Sequence, residues 1–174
     1  MSEHEVRIRP AGADDAERLA LVGQATFLET YATTVDGEDI LAHCAGAHSA
    51  AAYREHLARP GVRAWLAETA GRGAPVGYLL LTPAELEGAR PGDLEVRRVY
   101  VLHAFQGRRI GLRLLEEATA ASRAAGAPRL LLSVYSANAG ALAFYARTGF
   151  RKVGTRTFVA GNGRYDDFVL AREL

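Results

Sequence analysis

Only one cysteine, Cys44, and one lysine, Lys152, occur among the 174 residues. A lone cysteine excludes an intrachain disulfide and fits a reducing cytoplasm. The first ten residues are charged and lack the apolar core of a signal peptide. The densest apolar stretch, residues 76–81, is far too short to span a bilayer. An excess of charge of one sign is missing as well. Twenty-one basic residues face 20 acidic ones, for a net charge of +1. That balance gives no bulk attraction to nucleic acid or to an anionic membrane. Several nucleotide and nucleophile motifs are absent too. There is no G-x-x-x-x-G-K-[ST], no G-x-G-x-x-G near the first strand, and no G-x-S-x-G elbow. His43, Cys44 and His48 match no common zinc spacing, so no metal is expected.

What is present describes a globular α/β chain of one domain, residues 1–174, with 49% hydrophobic and 24% charged residues. Residues 6–9 alternate and read as a first strand. Asp14 or Asp15 can cap a helix reaching Tyr31, with Ala16, Leu19, Ala20, Phe27 and Leu28 facing inward. Residues 36–59 hold one or two short helices, ended by Pro60-Gly61. Residues 62–68 and 75–81 read as strands joined by the turn Ala70-Gly71-Arg72-Gly73. A loop follows over 83–92, then a long alternating strand over 94–102. Residues 107–125 form a helix with Ile110, Leu114, Leu115, Ala118 and Ala121 on one stripe. Gly126 can take the left-handed position that ends it, and Pro128 blocks continuation. Residues 130–134 are apolar apart from Ser133 and so read as a buried strand, parallel to the preceding one. A short helix over 138–147 stops at Gly149. Two final strands, 150–159 and 165–171, flank a turn at Gly161-Asn162-Gly163. The order implies a mixed sheet with a strand–helix–strand crossover at its centre.

The most informative segment runs from Leu94 into the helix after Gly107. An apolar strand ends in a short turn, Gln106-Gly107-Arg108-Arg109-Ile110-Gly111, that opens an amphipathic helix. Such a turn aims several backbone N–H groups, with the positive end of the helix dipole, at one point. Gly107 and Gly111 allow close approach of a ligand, and Arg108 and Arg109 can add charge-assisted bonds. The site suits a phosphate or pyrophosphate. The same pattern also describes an ordinary strand-to-helix turn with solvated arginines.

About thirty residues later comes Asn138-Ala139-Gly140-Ala141-Leu142-Ala143-Phe144-Tyr145-Ala146-Arg147-Thr148-Gly149-Phe150. This N-x-x-A-x-x-F-Y-x-x-x-G-F pattern resembles the C-terminal motif of the GNAT superfamily of N-acetyltransferases. Val99-Tyr100-Val101 with the turn 106–111 resembles their acetyl-coenzyme A motif. Phe27-Leu28-Glu29-Thr30-Tyr31, Glu38-Asp39-Ile40-Leu41 and an F-x-x-G…D-D pattern in residues 154–174 are similar to PaiA-type spermidine/spermine acetyltransferases. Two positions depart from the pattern. Arg109 stands where the family usually has its middle glycine, and His103 where proline is common.

The resemblance implies a mostly antiparallel mixed sheet, with a central parallel strand pair splayed around the cofactor and helices on both faces. It implies direct transfer of acetyl from acetyl-CoA, the cosubstrate, to a primary amine, with a polyamine-like acceptor favoured. Acetylation of a protein N-terminus, an amino compound or an antibiotic stays open, as does a non-catalytic acyl-CoA sensor. A homodimer is one assembly consistent with the resemblance. By carry-over, Val99, Tyr100, Val101, Gln106, Gly107, Arg108, Arg109, Ile110, Gly111, Asn138, Ala141 and Phe144 would hold the cofactor. Phe144 and Phe150 also suit a core role. The Val101 N–H would meet the developing oxyanion, and Tyr145 would protonate the departing thiolate as general acid. Glu95 is the first candidate for general base and Glu29 the second. Glu95 can equally be a strand residue paired with an arginine such as Arg97. Glu29, Asp36, Glu38 and Asp39 could attract a cationic amine.

Overall fold

The computed structural model describes residues 5–160 and 163–174. Seven strands form one sheet in the order β1-β2-β3-β4-β5-β7-β6. The strands are β1 (Val6–Ala11), β2 (Arg63–Thr69), β3 (Pro75–Pro83), β4 (Leu94–Val101), β5 (Arg129–Tyr135), β6 (Arg151–Ala160) and β7 (Gly163–Glu173). The helices are α1 (Ala16–Tyr31), α2 (Gly37–Gly46), α3 (Ala50–Ala58), α4 (Ile110–Ala124) and α5 (Ala139–Arg147). Every neighbouring pair is antiparallel except β4 with β5. That parallel pair is joined through α4, the crossover expected from the chain order.

Helices cover both faces. On one, α4 packs its stripe of Ile110, Leu114, Leu115, Ala118 and Ala121 against Val96, Leu130 and Leu132. On the other, Leu19, Val22 and Tyr53 of α1 and α3 pack on Leu66, Tyr78 and Leu80. Glu68, only 1% exposed, accepts bonds from Arg7, Arg9 and Arg18 and so ties β1, β2 and α1 together. The Asp93–Arg129 pair, with a 2.6 Å contact, is buried where β4 and β5 begin.

Two sequence expectations need correction. Leu28 is 53% exposed, whereas Ala16, Leu19, Ala20 and Phe27 face inward as expected, joined by Val22, Gly23 and Thr26. A 16-residue helix presents only one stripe to the sheet, and Leu28 shares the outer stripe with Leu21, one heptad earlier. Helix α4 starts at Ile110, because Gly107 (φ 76°) and Arg109 (φ 60°) are in left-handed backbone. The expected turn at Gly161-Asn162-Gly163 lies outside the described residues apart from Gly163. Gly126 (φ 72°) ends α4 as expected. No helix among the described residues is long and apolar enough to cross a membrane.

Candidate active site

The central strands part early. β4 and β5 pair only at Leu94↔Leu130 and Glu95↔Leu131. β5 then follows β7 as far as Tyr135↔Asp167, while β4 follows β3 to Gly77↔Val101. A wedge therefore opens between the C-terminal halves of β4 and β5. In β4 a bulge leaves Arg97 unmatched, since Arg98 faces Leu80 and Val96 faces Leu81. The extra residue increases the local twist, which is how a strand turns away from its neighbour.

The open edge of β4 presents unpaired backbone. The Leu102 N–H donates to the Val76 carbonyl on the β3 side. Strand backbone alternates, so the N–H groups of Val101 and Val99 point the other way, into the wedge. The Val101 carbonyl, on the same edge, accepts from the Gln106 side-chain amide at 3.1 Å. Gly77 makes this pairing possible. A Cβ there would lie 2.9 Å from the Tyr100 carbonyl oxygen.

The chain leaves β4 through a 3-10 turn (His103–Phe105) and the turn 106–109. The N–H groups of Ile110, Gly111 and Leu112 begin α4 and have no intrahelical acceptor. A Cβ on Gly107 would meet no atom within 4 Å, so the space before the turn is open. Arg108 folds back, donating to the Ala104 carbonyl at 3.4 Å and lying over the Phe105 ring. Arg109 keeps the backbone shape a glycine would give, at a cost of about 1–2 kcal/mol. Its presence at the usual glycine position therefore leaves the turn intact. These donors suit a pyrophosphate.

Across the wedge, β5 leads into α5. Asn138 caps that helix, accepting the Ala141 N–H at 3.0 Å. Ala141, Phe144 and Tyr145 share one apolar cluster with Val99, Val101 and Ile110. Phe144 lies 4.0 Å from where a Gly111 Cβ would stand. The two motifs, separate in sequence, thus line the two sides of one wedge. Tyr145 is 8% exposed, and burial, followed by the nearby Tyr100, raises its phenol above the usual range. Tyr31 and Tyr100 approach through their hydroxyls at 3.3 Å, and the Tyr31 phenol is raised by burial and then by Tyr100.

The candidate bases have defined partners. Glu95, 4% exposed, accepts the Glu85 N–H at 3.0 Å and so anchors the loop before β4. Arg97 pairs with Glu85 at 2.9 Å, not with Glu95. Glu29 accepts the His103 N–H at 3.0 Å, which fixes the end of β4 against α1. Asp36 caps α2 by accepting the Glu38 N–H. His43 stacks on Phe27, and His48 Nδ1 meets the Tyr53 hydroxyl at 3.0 Å. Cys44 is a free thiol, raised by burial.

The sequence reading met Tyr31, Phe158 and Asp167 only within its PaiA-like patterns and did not bring them together. Tyr31, Tyr135, Phe158, Tyr165 and Asp167 converge on one small cavity. They come from α1, β5, β6 and β7, so no local spacing links them.

Comparison with known proteins agrees with this geometry. Residues 27–150 match the acetyltransferase (GNAT) family. An uncharacterised N-acetyltransferase of Mycobacterium tuberculosis is 33% identical over 160 residues, covering 92% of this chain and 98% of its own. Another, from Lactobacillus delbrueckii subsp. lactis, is 29% identical over 97% of this chain and 98% of its own. The PaiA N-acetyltransferase of Thermoplasma acidophilum, solved in complex with coenzyme A, superposes with a TM-score of 0.80. It covers 98% of this chain and 99% of its own at 21% identity. A GCN5-related N-acetyltransferase from Rhodopseudomonas palustris gives 0.75 over 100% and 99%, also at 21% identity. With a family match over most of its length and a relative one-third identical, this chain belongs to the GNAT family of acetyltransferases.

Proposed function

We propose that this N-acetyltransferase passes acetyl from acetyl-CoA directly to a primary amine of a small, polyamine-like molecule. The observation that carries the reading is the wedge, because it joins an unpaired strand edge, an N–H-lined turn and Tyr145 in one cleft. The turn at residues 106–111 would hold the pyrophosphate through N–H groups and the helix dipole. The open edge at Val99 and Val101 suits an extended amide-bearing arm, which can pair with it as a strand would. Asn138, Ala141 and Phe144 border the same arm from α5.

Transfer forms an N–C bond and breaks a C–S bond. An amine of pKa about 10.4 is roughly a thousandth neutral at pH 7, a handicap of about 4–5 kcal/mol. Glu95, through water, or Glu29 would take that proton. The Val101 N–H would receive the charge that develops on the carbonyl oxygen. Tyr145 would give its proton to the departing thiolate. Its raised pKa keeps it protonated well into alkaline solution, and its place in the Val99–Val101 cluster supports the role.

The test is release of free thiol from acetyl-CoA by the purified protein. The panel holds spermidine, spermine, amino acids, aminoglycosides and short peptides, with a no-acceptor control. Turnover confined to polyamines supports the reading. Turnover confined to peptides or amino acids replaces the acceptor, and failure to bind acetyl-CoA removes the reading altogether.

A further inference from the structure

The cavity bounded by Tyr31, Thr34, Val35, Tyr135, Phe158, Tyr165 and Asp167 has a definite position relative to the wedge. Tyr135 and Asp167 are the last matched pair of β5 and β7 on the wedge side. Tyr135 stands four residues beyond Leu131 on β5, and Tyr100 five residues beyond Glu95 on β4, so the two are nearly level across the gap. The hydroxyl of Tyr31, from α1, reaches Tyr100. The cavity therefore opens on the sheet face of α1–α3, opposite the face of α4 and α5 that carries Tyr145.

Its chemistry is unusual for a surface depression. Asp167 is the carboxylate in it and is 7% exposed. Its cationic neighbour, Arg156, sits with Nε 3.7 Å from Oδ2, and that Nε makes no hydrogen bond among the described residues. Burial raises the Asp167 carboxyl above the usual range despite Arg156 and the Ser133 side chain, so its negative charge is incompletely compensated. The remaining walls are mostly aromatic, with Thr34 and Val35 completing them. Tyr165 meets Tyr135 edge to face at 6.1 Å and donates its hydroxyl to the Thr34 carbonyl at 3.4 Å. A buried carboxylate among ring faces suits a cation that brings its own hydrogen-bond donors. The space is ≈ 10 Å³, about the room one water needs. A primary ammonium group is of that size, whereas guanidinium and trimethylammonium groups are larger.

We propose that the Asp167 carboxylate, walled by Tyr31, Tyr135, Phe158 and Tyr165, receives an ammonium group of the acceptor and thereby restricts acceptors to small cations. This inference rests on the acetyltransferase reading and names the residue that would select its substrate. In an acceptor with two amines, the ammonium held at Asp167 would leave the second amine free to enter the wedge. Aromatic walls and one carboxylate admit an aliphatic diamine more readily than an acidic amino acid.

Steady-state kinetics and calorimetry of Asp167→Asn test this, with spermidine, putrescine and cadaverine as probes. Asn is isosteric, so an unchanged melting temperature separates loss of charge from loss of fold. The expected result is a KM for the amine raised ten-fold or more, with the KM for acetyl-CoA within two-fold of wild type. Arg156→Gln, which removes the competing cation, is expected to lower the amine KM. Titration of the same amines into protein saturated with coenzyme A is expected to show the same ten-fold weakening in Asp167→Asn. Equal amine KM in wild type and Asp167→Asn overturns the proposal. So does a wild-type protein that binds acetyl-CoA but none of the three amines, a result that leaves the acetyltransferase reading standing. A wild-type protein that binds no acetyl-CoA removes both.

Discussion

Tyr145 shows how much a single buried side chain is asked to do. Burial, and then the nearby Tyr100, raise its hydroxyl above the usual range, and no group among the described residues lowers it. It is thus suited to give a proton, not to hold a charge. Tyr145→Phe removes one oxygen and keeps the ring that packs on Phe144 and Phe150. Turnover should fall about 10²-fold or more, the usual worth of a general acid. Acetyl-CoA affinity should stay within two-fold, and equal loss of both would contradict the role. Arg109 tests a different residue-scale point. It alone among the described non-glycine residues has positive φ, and its charge sits at the positive end of α4. Arg109→Gly relieves about 1–2 kcal/mol of backbone strain but loosens the unfolded chain by about 0.4–1 kcal/mol. A melting temperature raised by roughly 2–4 °C is expected. A lowered one would show that the Arg109 side chain stabilises the turn more than its conformation costs.

At the scale of elements, the periodic signals carried through to the structure and the non-local ones did not. The α4 stripe was legible because Ile110, Leu114, Leu115, Ala118 and Ala121 recur at helical spacing, and all are buried. The β5 strand was legible as an apolar run broken only by Ser133. Leu28 misled because burial follows from hydrophobicity in one direction only, and exposed leucines are common. The motifs at 106–111 and 138–150, far apart in sequence, share one apolar cluster in the fold. Gly77 carried no sequence signal, and Asp167 entered only within the D-D pattern, with no role attached to it. One is set by a cross-strand approach to Tyr100 and the other by the pairing of β5 with β7. The turn between β4 and α4 is the proposed pyrophosphate site. Gly107→Glu places a carboxylate in the open space before the N–H groups and forces a side chain onto φ 76°. Acetyl-CoA affinity by calorimetry should fall at least ten-fold; unchanged affinity would rule out this turn as the pyrophosphate site.

The whole molecule is a sheet whose two faces meet at one gap. The α1–α3 face carries a cost tied to pH. His48, 2% exposed, is pushed down to about 3, chiefly by burial and then by Arg98 and His43. Its unfolded value is near 6.5, so between 6.5 and 3 the unfolded chain binds the proton and the native state does not. Stability is therefore full above pH 6.5 and falls as pH drops through that window, by up to a few kcal/mol. Melting temperature should decline between pH 6.5 and 4 in wild type and decline less in His48→Gln. Parallel curves would place the titration elsewhere. The opposite face and the gap itself bear the central claim, that the wedge between β4 and β5 is where acetyl-CoA lies. Amide hydrogen exchange with and without coenzyme A tests it most directly. The wedge predicts added protection at Val99, Val101, Ile110, Gly111 and Leu112, with little change in β1 or β6. Protection confined to other elements, with these five amides unchanged, would contradict it.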